Sequence, residues 1–257
     1  MKLMRYKNGG SGALKDTQRV DKILSNFGFG SRKEIKQLVK NGQVKVDGVV
    51  IKDSAMHVNP KESVIEVAGE ILKYRQFIYI MMNKPQGVIS ATYDNRLRTV
   101  IDILPDEFKC FNLFPVGRLD IDTEGLLLLT NDGQLAHELL SPKKHVPKRY
   151  YALIDGNVTE KDADAFWEGV VLDDGYKTLP SELFILKSGA FSEVEIVIYE
   201  GKFHQVKRMF EAVGKKVKYL KRIQMGELKL DETLNTGEVR ELTEDEAKLV
   251  KAVQRAN

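Results

Sequence analysis

Gly117-Arg118-Leu119-Asp120-Ile121-Asp122-Thr123-Glu124-Gly125-Leu126-Leu127-Leu128-Leu129 decides how this 257-residue chain is read. Four consecutive leucines between Gly125 and the Asn131-Asp132-Gly133 turn predict a strand covered on both faces, since a half-exposed strand would alternate apolar with polar residues. The carboxylates before it lie on a constrained loop at the mouth of that buried strand. Asp120 therefore hangs from a rigid support, which is where a catalytic group belongs.

Working outward, Phe77 to Met82 is rich in β-formers and stops at Asn83-Lys84-Pro85, where proline removes a ladder donor. That segment reads as a strand exit, and none of it is taken as catalytic. Further strands are expected at Tyr151 to Ile154, Glu193 to Tyr199 and Val217 to Ile223, with helices at Gln134 to Leu140 and His204 to Ala212. Strands and helices mix without a strict βαβ rhythm. The expectation is an α+β domain on a mixed, largely antiparallel sheet.

Before it, Val20, Ile23, Leu24 and Phe27 recur at helical spacing up to Gly28, and Ser31-Arg32-Lys33-Glu34 is a capping box opening a second helix. Val44-Lys45-Val46 and Val49-Val50-Ile51 flank Asp47-Gly48, a two-residue hairpin signal. The expected division is a flexible extension over residues 1–17, a small domain over 18–72, a linker from Lys73 to Gln76 and a catalytic domain over 77–257.

At 42% hydrophobic residues the chain has ample material for a packed core, and its net charge of +3 is modest. Cys110 is the single cysteine, which excludes an internal disulfide or a multi-cysteine metal site and fits a cytoplasmic protein. The polar, basic start lacks the apolar core of a signal peptide, and no apolar run reaches transmembrane length.

The opening stretch resembles, nearly letter for letter, the GRLDxxTxGLLLxTxDG signature of the RsuA family of ribosomal RNA pseudouridine synthases. Lys148-Arg149-Tyr150 is similar to that family's tyrosine motif, and Gly201-Lys202-Phe203-His204-Gln205-Val206-Lys207-Arg208-Met209 to its basic motif, in the family's order. The front segment resembles the small RNA-binding module named after ribosomal protein S-four. The resemblance implies an RNA-modifying isomerase with Asp120 as its one essential catalytic residue, Tyr150 packed against the target base, and Lys207 offered to the aspartate. The run from Phe203 to Gly214 looks more like the small-subunit type than its large-subunit relatives, so the implied partner is 16S rRNA or a small-subunit assembly intermediate, bound by a monomer.

Pseudouridine formation breaks a carbon–nitrogen bond, turns the uracil and forms a carbon–carbon bond, with no atom gained or lost. It requires no redox cofactor, nucleotide or obligatory metal, so none is expected. It does require an ionised carboxylate near the ribose, as nucleophile, base or stabiliser of positive charge. A water-poor pocket would protonate that group unless a cation stood beside it. Lys207 is the first candidate and Arg208 its neighbour, but a helix separates consecutive residues by about 100°, so the two cannot both face Asp120. Arg118 projects to the same side as Asp120 and either binds phosphate or ribose or pairs with Glu124 or Asp122. Asp122 reads as a loop cap, His204 as structural or RNA-contacting, and Tyr151 as the rival of Tyr150, since strand alternation lets one of the two face the pocket.

Arg32, Lys33, Lys36, Lys40 and Lys45 are candidate phosphate contacts, with a solvated helix face as the plainer reading. The run Lys215, Lys216, Lys218, Lys221 and Arg222 reads as a basic strand edge tracking RNA or as a solvated face. The competing functional classes are a 23S rRNA pseudouridine synthase, a non-catalytic RNA-binding or ribosome-assembly protein, and a carbohydrate hydrolase using Asp120 and Asp122. Neighbouring acids on one short loop rarely span a glycosidic bond, which argues against the last.

Overall fold

The computed structural model describes residues 17–255, so the extension expected over residues 1–17 lies, but for Thr17, outside the described residues. The chain forms two compact units, one running through Gln76 and including Asp106–Asn112, the other made of Phe77–Pro105 and the chain from Leu113 onward.

In the first unit β1 (Gln18–Arg19), α1 (Val20–Asn26) and α2 (Arg32–Lys40) precede β2 (Val44–Val46), β3 (Val49–Val50), β4 (His57–Val58), β5 (Ile65–Val67) and β6 (Glu70–Ile71), and α3 (Asp106–Lys109) joins them. The capping box forms: the Ser31 side chain accepts from the Glu34 amide, and the Glu34 carboxylate accepts from the Ser31 amide at 2.7 Å. Asp47 and Gly48 take φ of 50° and 79°, the left-handed pair that a tight hairpin between β2 and β3 requires. Ile23, Leu24, Ile35, Val39, Val44 and Ile65 fill the core, and the rings of Phe27 and Phe111 meet edge-on at 5.5 Å.

The second unit comprises β7 (Tyr79–Lys84), β8 (Phe114–Pro115), β9 (Glu124–Thr130), α4 (Gly133–Leu140), β10 (Lys148–Asp155), α5 (Glu160–Glu168), β11 (Glu182–Lys187), β12 (Phe191–Ile198), α6 (Gln205–Ala212), β13 (Lys216–Met225), β14 (Leu228–Lys229), β15 (Val239–Glu241) and α7 (Glu244–Arg255). Its mixed sheet runs β11-β12-β10-β13-β9-β7-β15, with β14 on β13 and β8 on β9. β13 and β9 are parallel, and the neighbouring pairs are antiparallel, in line with the expected α+β class. Leu126 to Leu129 are at most 1% exposed, covered on both faces as their unbroken run requires. Each contributes on the order of 2 kcal/mol of burial. Leu126 and Leu128 pack with Tyr79, Met81, Leu135 and Leu139.

β13 corrects one expectation, because the basic run is not a sheet edge. Its ten residues are flanked by β10 and β9, Lys215 and Lys218 are held by Asp162 and Asp155 at 2.6 and 3.1 Å, and Arg222 is buried. The sheet instead ends at β11, whose register slips between Ile185 and Lys187, and at β15, three residues long. Among the described residues no helix is long and apolar enough to cross a membrane.

Candidate active site

The loop leading into β9 is fastened by the end of β7. The Lys84 ammonium, wholly buried, donates to the main-chain oxygens of Pro85, Asp120 and Thr123 at 2.9, 3.1 and 3.0 Å. Burial pulls it down to about 8, against the upward pull of Asp120, Asp122 and Glu124. Ser90 Oγ accepts from the Leu119 amide and donates to the Leu119 carbonyl, both at 3.0 Å, and the Gly87 amide donates to Ile121 at 2.8 Å. Sequence reasoning missed Lys84. Its signal was a charge just past the apolar run from Phe77 to Met82, which a strand-exit reading explained away.

Gly125 closes the loop with φ of +101°, and a Cβ there would lie 2.2 Å from the Arg222 carbonyl oxygen. Glycine alone permits β9 and β13 to meet this closely, at the parallel bridge of Gly125 with Arg222.

From this support the Asp120 carboxylate, 27% exposed, faces the first turn of α6. Lys207 Nζ stands 3.3 Å from Asp120 Oδ2 and 2.5 Å from Asp122 Oδ1. His204 Nε2 is 3.7 Å from Asp120 Oδ1. Asp122 is thus a second partner of Lys207 rather than the loop cap expected. Burial pushes its carboxyl up, but the Lys207 hydrogen bond and charge outweigh that and hold it below the ordinary carboxylate value.

Arg208 turns away, as the helical step demands. Its Nε meets Asp173 at 2.6 Å and its Nη2 meets Asp174 at 2.7 Å. Arg118 is exposed and forms no ion pair among the described residues. The carboxylates read as its alternatives are engaged elsewhere, Glu124 by the Tyr219 hydroxyl at 2.6 Å and Asp122 by Lys207. Tyr150 is buried in the site wall, whereas Tyr151 lies on the opposite face and donates to Glu193 at 2.9 Å. Arg32, Lys33, Lys36 and Lys40 belong to the first unit, where all four are exposed along α2. Lys45 is partly covered and paired with Glu66 at 2.7 Å.

Asp120, Arg118, Tyr150 and His204 line both a pocket of about 70 Å³ and a cleft of about 880 Å³. Lys148 and Arg222 also line the cleft. Arg222 Nε donates to the Leu126 carbonyl at 2.8 Å, while its Nη2 is buried with no partner among the described residues. Burial, then the Arg222 charge, lowers Lys148 to about 8, with Glu200 opposing. The arrangement sets one carboxylate beside a cation, offers a flat ring near it, and lines its surroundings with cations suited to a polyanion.

Residues 78–212 match the RNA pseudouridylate synthase family and residues 18–64 match the S4 domain. The uncharacterized RNA pseudouridine synthase YtzG of Bacillus subtilis is 52% identical over 92% of this chain and 99% of its own length. Ribosomal small subunit pseudouridine synthase A of Vibrio cholerae is 42% identical over 89% of this chain and 97% of the relative. Ribosomal large subunit pseudouridine synthase B of Bacillus subtilis is 38% identical over 92% and 96%. A solved pseudouridylate synthase structure superposes with a TM-score of 0.63 at 35% identity, covering 90% of this chain and 99% of that one. With the family match spanning the loop, the tyrosine strand and the lysine helix just described, this chain belongs to the RNA pseudouridine synthases, isomerases acting on RNA, and carries an S4 domain in front of the synthase domain.

Proposed function

We propose that this enzyme converts a specific uridine of 16S rRNA to pseudouridine, with Asp120 as the carboxylate that acts at the ribose. The observation that carries this reading is the ion pair of Asp120 with Lys207 on a loop fastened by Lys84, beside the Tyr150 ring. Nucleophilic attack at the anomeric carbon, proton removal from the sugar and stabilisation of positive charge all require the ionised carboxylate. Lys207 Nζ, 3.3 Å from Asp120 Oδ2, is the cation that faces it. Tyr150 stacks on the extruded uracil and so replaces the neighbouring bases that the nucleotide leaves behind in its helix.

Arg118, with no carboxylate partner among the described residues, binds phosphate or ribose beside the site. Arg32, Lys33, Lys36 and Lys40 supply sequence-independent affinity through phosphates. Arg208 joins them only by exchanging Asp173 and Asp174 for phosphate. The same reading takes the protein as a monomer that acts in the cytoplasm.

The 16S assignment is supported by the run from Phe203 to Gly214 and by the Vibrio cholerae relative; the large-subunit relative, at 38% identity, favours 23S rRNA instead. Incubation with fragments of each rRNA, followed by mapping of pseudouridine, decides between them. Modification in 16S fragments is expected, and modification confined to 23S fragments overturns the assignment.

A further inference from the structure

Phe203, which lines the cleft together with Asp120, is 72% exposed. It is not a stray surface apolar residue. Its ring stacks on the His204 imidazole with centroids 3.8 Å apart and planes 19° from parallel. His204 in turn holds the left-handed conformation, φ 48°, at the N-cap of α6 and makes no side-chain capping bond there. A non-glycine residue in that region carries backbone strain, and such strain persists where the surroundings impose a particular side-chain direction. Here the direction is plain: the edge of the imidazole reaches Asp120 at 3.7 Å while its face supports Phe203.

One face of Phe203 is therefore covered and the other is open to the cleft. An aromatic plane presented this way, with Lys202 adjacent in the cleft lining, is the combination that holds a single-stranded base, stacking its face and attracting its phosphate. Tyr150 is already committed to the extruded uracil. Phe203, set one ring beyond the group that touches Asp120, is placed to receive the next base.

We infer that Phe203, backed by His204, is the stacking platform for the nucleobase adjoining the target uridine. The substrate class is thereby narrowed to RNA whose target uridine has an unpaired or openable neighbour. The inference rests on the pseudouridine synthase reading of this site. Stacking of a base on an aromatic ring is worth about 1–3 kcal/mol, which corresponds to a change in affinity of about 5- to 150-fold.

The test uses the full chain and whichever rRNA fragment the wild type converts, with 2-aminopurine substituted on either side of the converted uridine. In the Asp120→Asn background, expected to hold RNA without turnover, fluorescence should be quenched at one of the two positions. Adding Phe203→Leu should abolish that quench, and Phe203→Tyr should restore it. In the otherwise wild-type enzyme, Phe203→Leu should raise KM by a factor in that range while kcat holds. An exposed leucine in place of phenylalanine leaves the core intact, so the melting temperature should not move. Unchanged KM and unchanged quenching in Phe203→Leu overturn the platform while leaving the enzyme's activity standing. Absence of conversion in 16S fragments overturns the 16S reading instead, and the fluorescence contrast is then read on the fragment that is converted.

Discussion

Asp120 and its partners were legible as residues but not as a mechanism of support. Asp120, Tyr150 and Lys207 stand out because they occur in ordered motifs. Lys84 did not, because a charge before a proline is explained well enough by a strand ending, and nothing in the sequence tells that its ammonium folds back under a loop 36 residues away. Asp122 was misread for a related reason, since sequence spacing cannot tell a capping acid from one that shares a lysine with its neighbour. Asp120→Asn should keep RNA affinity and melting temperature while turnover, followed by pseudouridine mapping, falls below detection. Substantial residual conversion would refute the assigned role. Lys84→Met should leave three loop carbonyls without a donor, costing on the order of 2–4 kcal/mol in chemical denaturation, with a fall in kcat larger than any change in KM. A melting temperature and kcat equal to the wild type would show that the loop holds its shape unaided.

Among the elements, those with strong local signals were read within a residue or two of their ends. The Ser31 box, the Asp47-Gly48 turn and the leucine strand each depend on neighbours in sequence. α5, β11 and α7 were not anticipated: Phe166 is the one apolar side chain of α5 that is fully buried, and β11, apolar from Leu183 to Leu186 without alternation, leaves Phe184 and Leu186 exposed. The interior position of β13 is a matter of topology, since it follows from pairing with β9 across some 95 residues of chain, as the Tyr219 to Glu124 hydrogen bond records. Gly125→Ala belongs to this scale. Its Cβ would meet the Arg222 carbonyl and its φ would remain positive, so the variant should lose at least about 3 kcal/mol or fail to accumulate as folded protein. Ser31→Ala should cost about 1 kcal/mol, measured on the first unit's unfolding transition.

For the whole molecule, affinity for RNA should depend on salt, with α2 responsible for part of the slope. Replacing Lys36 and Lys40 together by alanine should flatten the log–log salt dependence by roughly 1.5–2 while leaving turnover at saturating RNA intact. Unchanged affinity would reduce α2 to a solvated face. Lys84 and Lys148, both lowered to about 8, set a pH dependence with a definite sign. A lysine that ionises less readily when folded penalises the native state below pH 8. That penalty is relieved between about pH 8 and pH 10.5, where the unfolded chain still binds the proton that the folded chain has released. Stability should therefore hold or rise across that window in denaturant titrations, while turnover declines as Lys84 loses its charge beneath the Asp120 loop. Parallel loss of both would place the decline elsewhere.

The slipped register between Ile185 and Lys187 has a bearing on how the protein behaves when crowded. An outermost strand displays a row of vacant peptide donors and acceptors on which a second molecule's strand can crystallise into a fibril. The extra residue twists that row out of line and the lysine sets a charge on it, so concentrated solutions should stay dispersed; deleting Leu186 to straighten the strand should make them seed ordered aggregates that bind amyloid dyes.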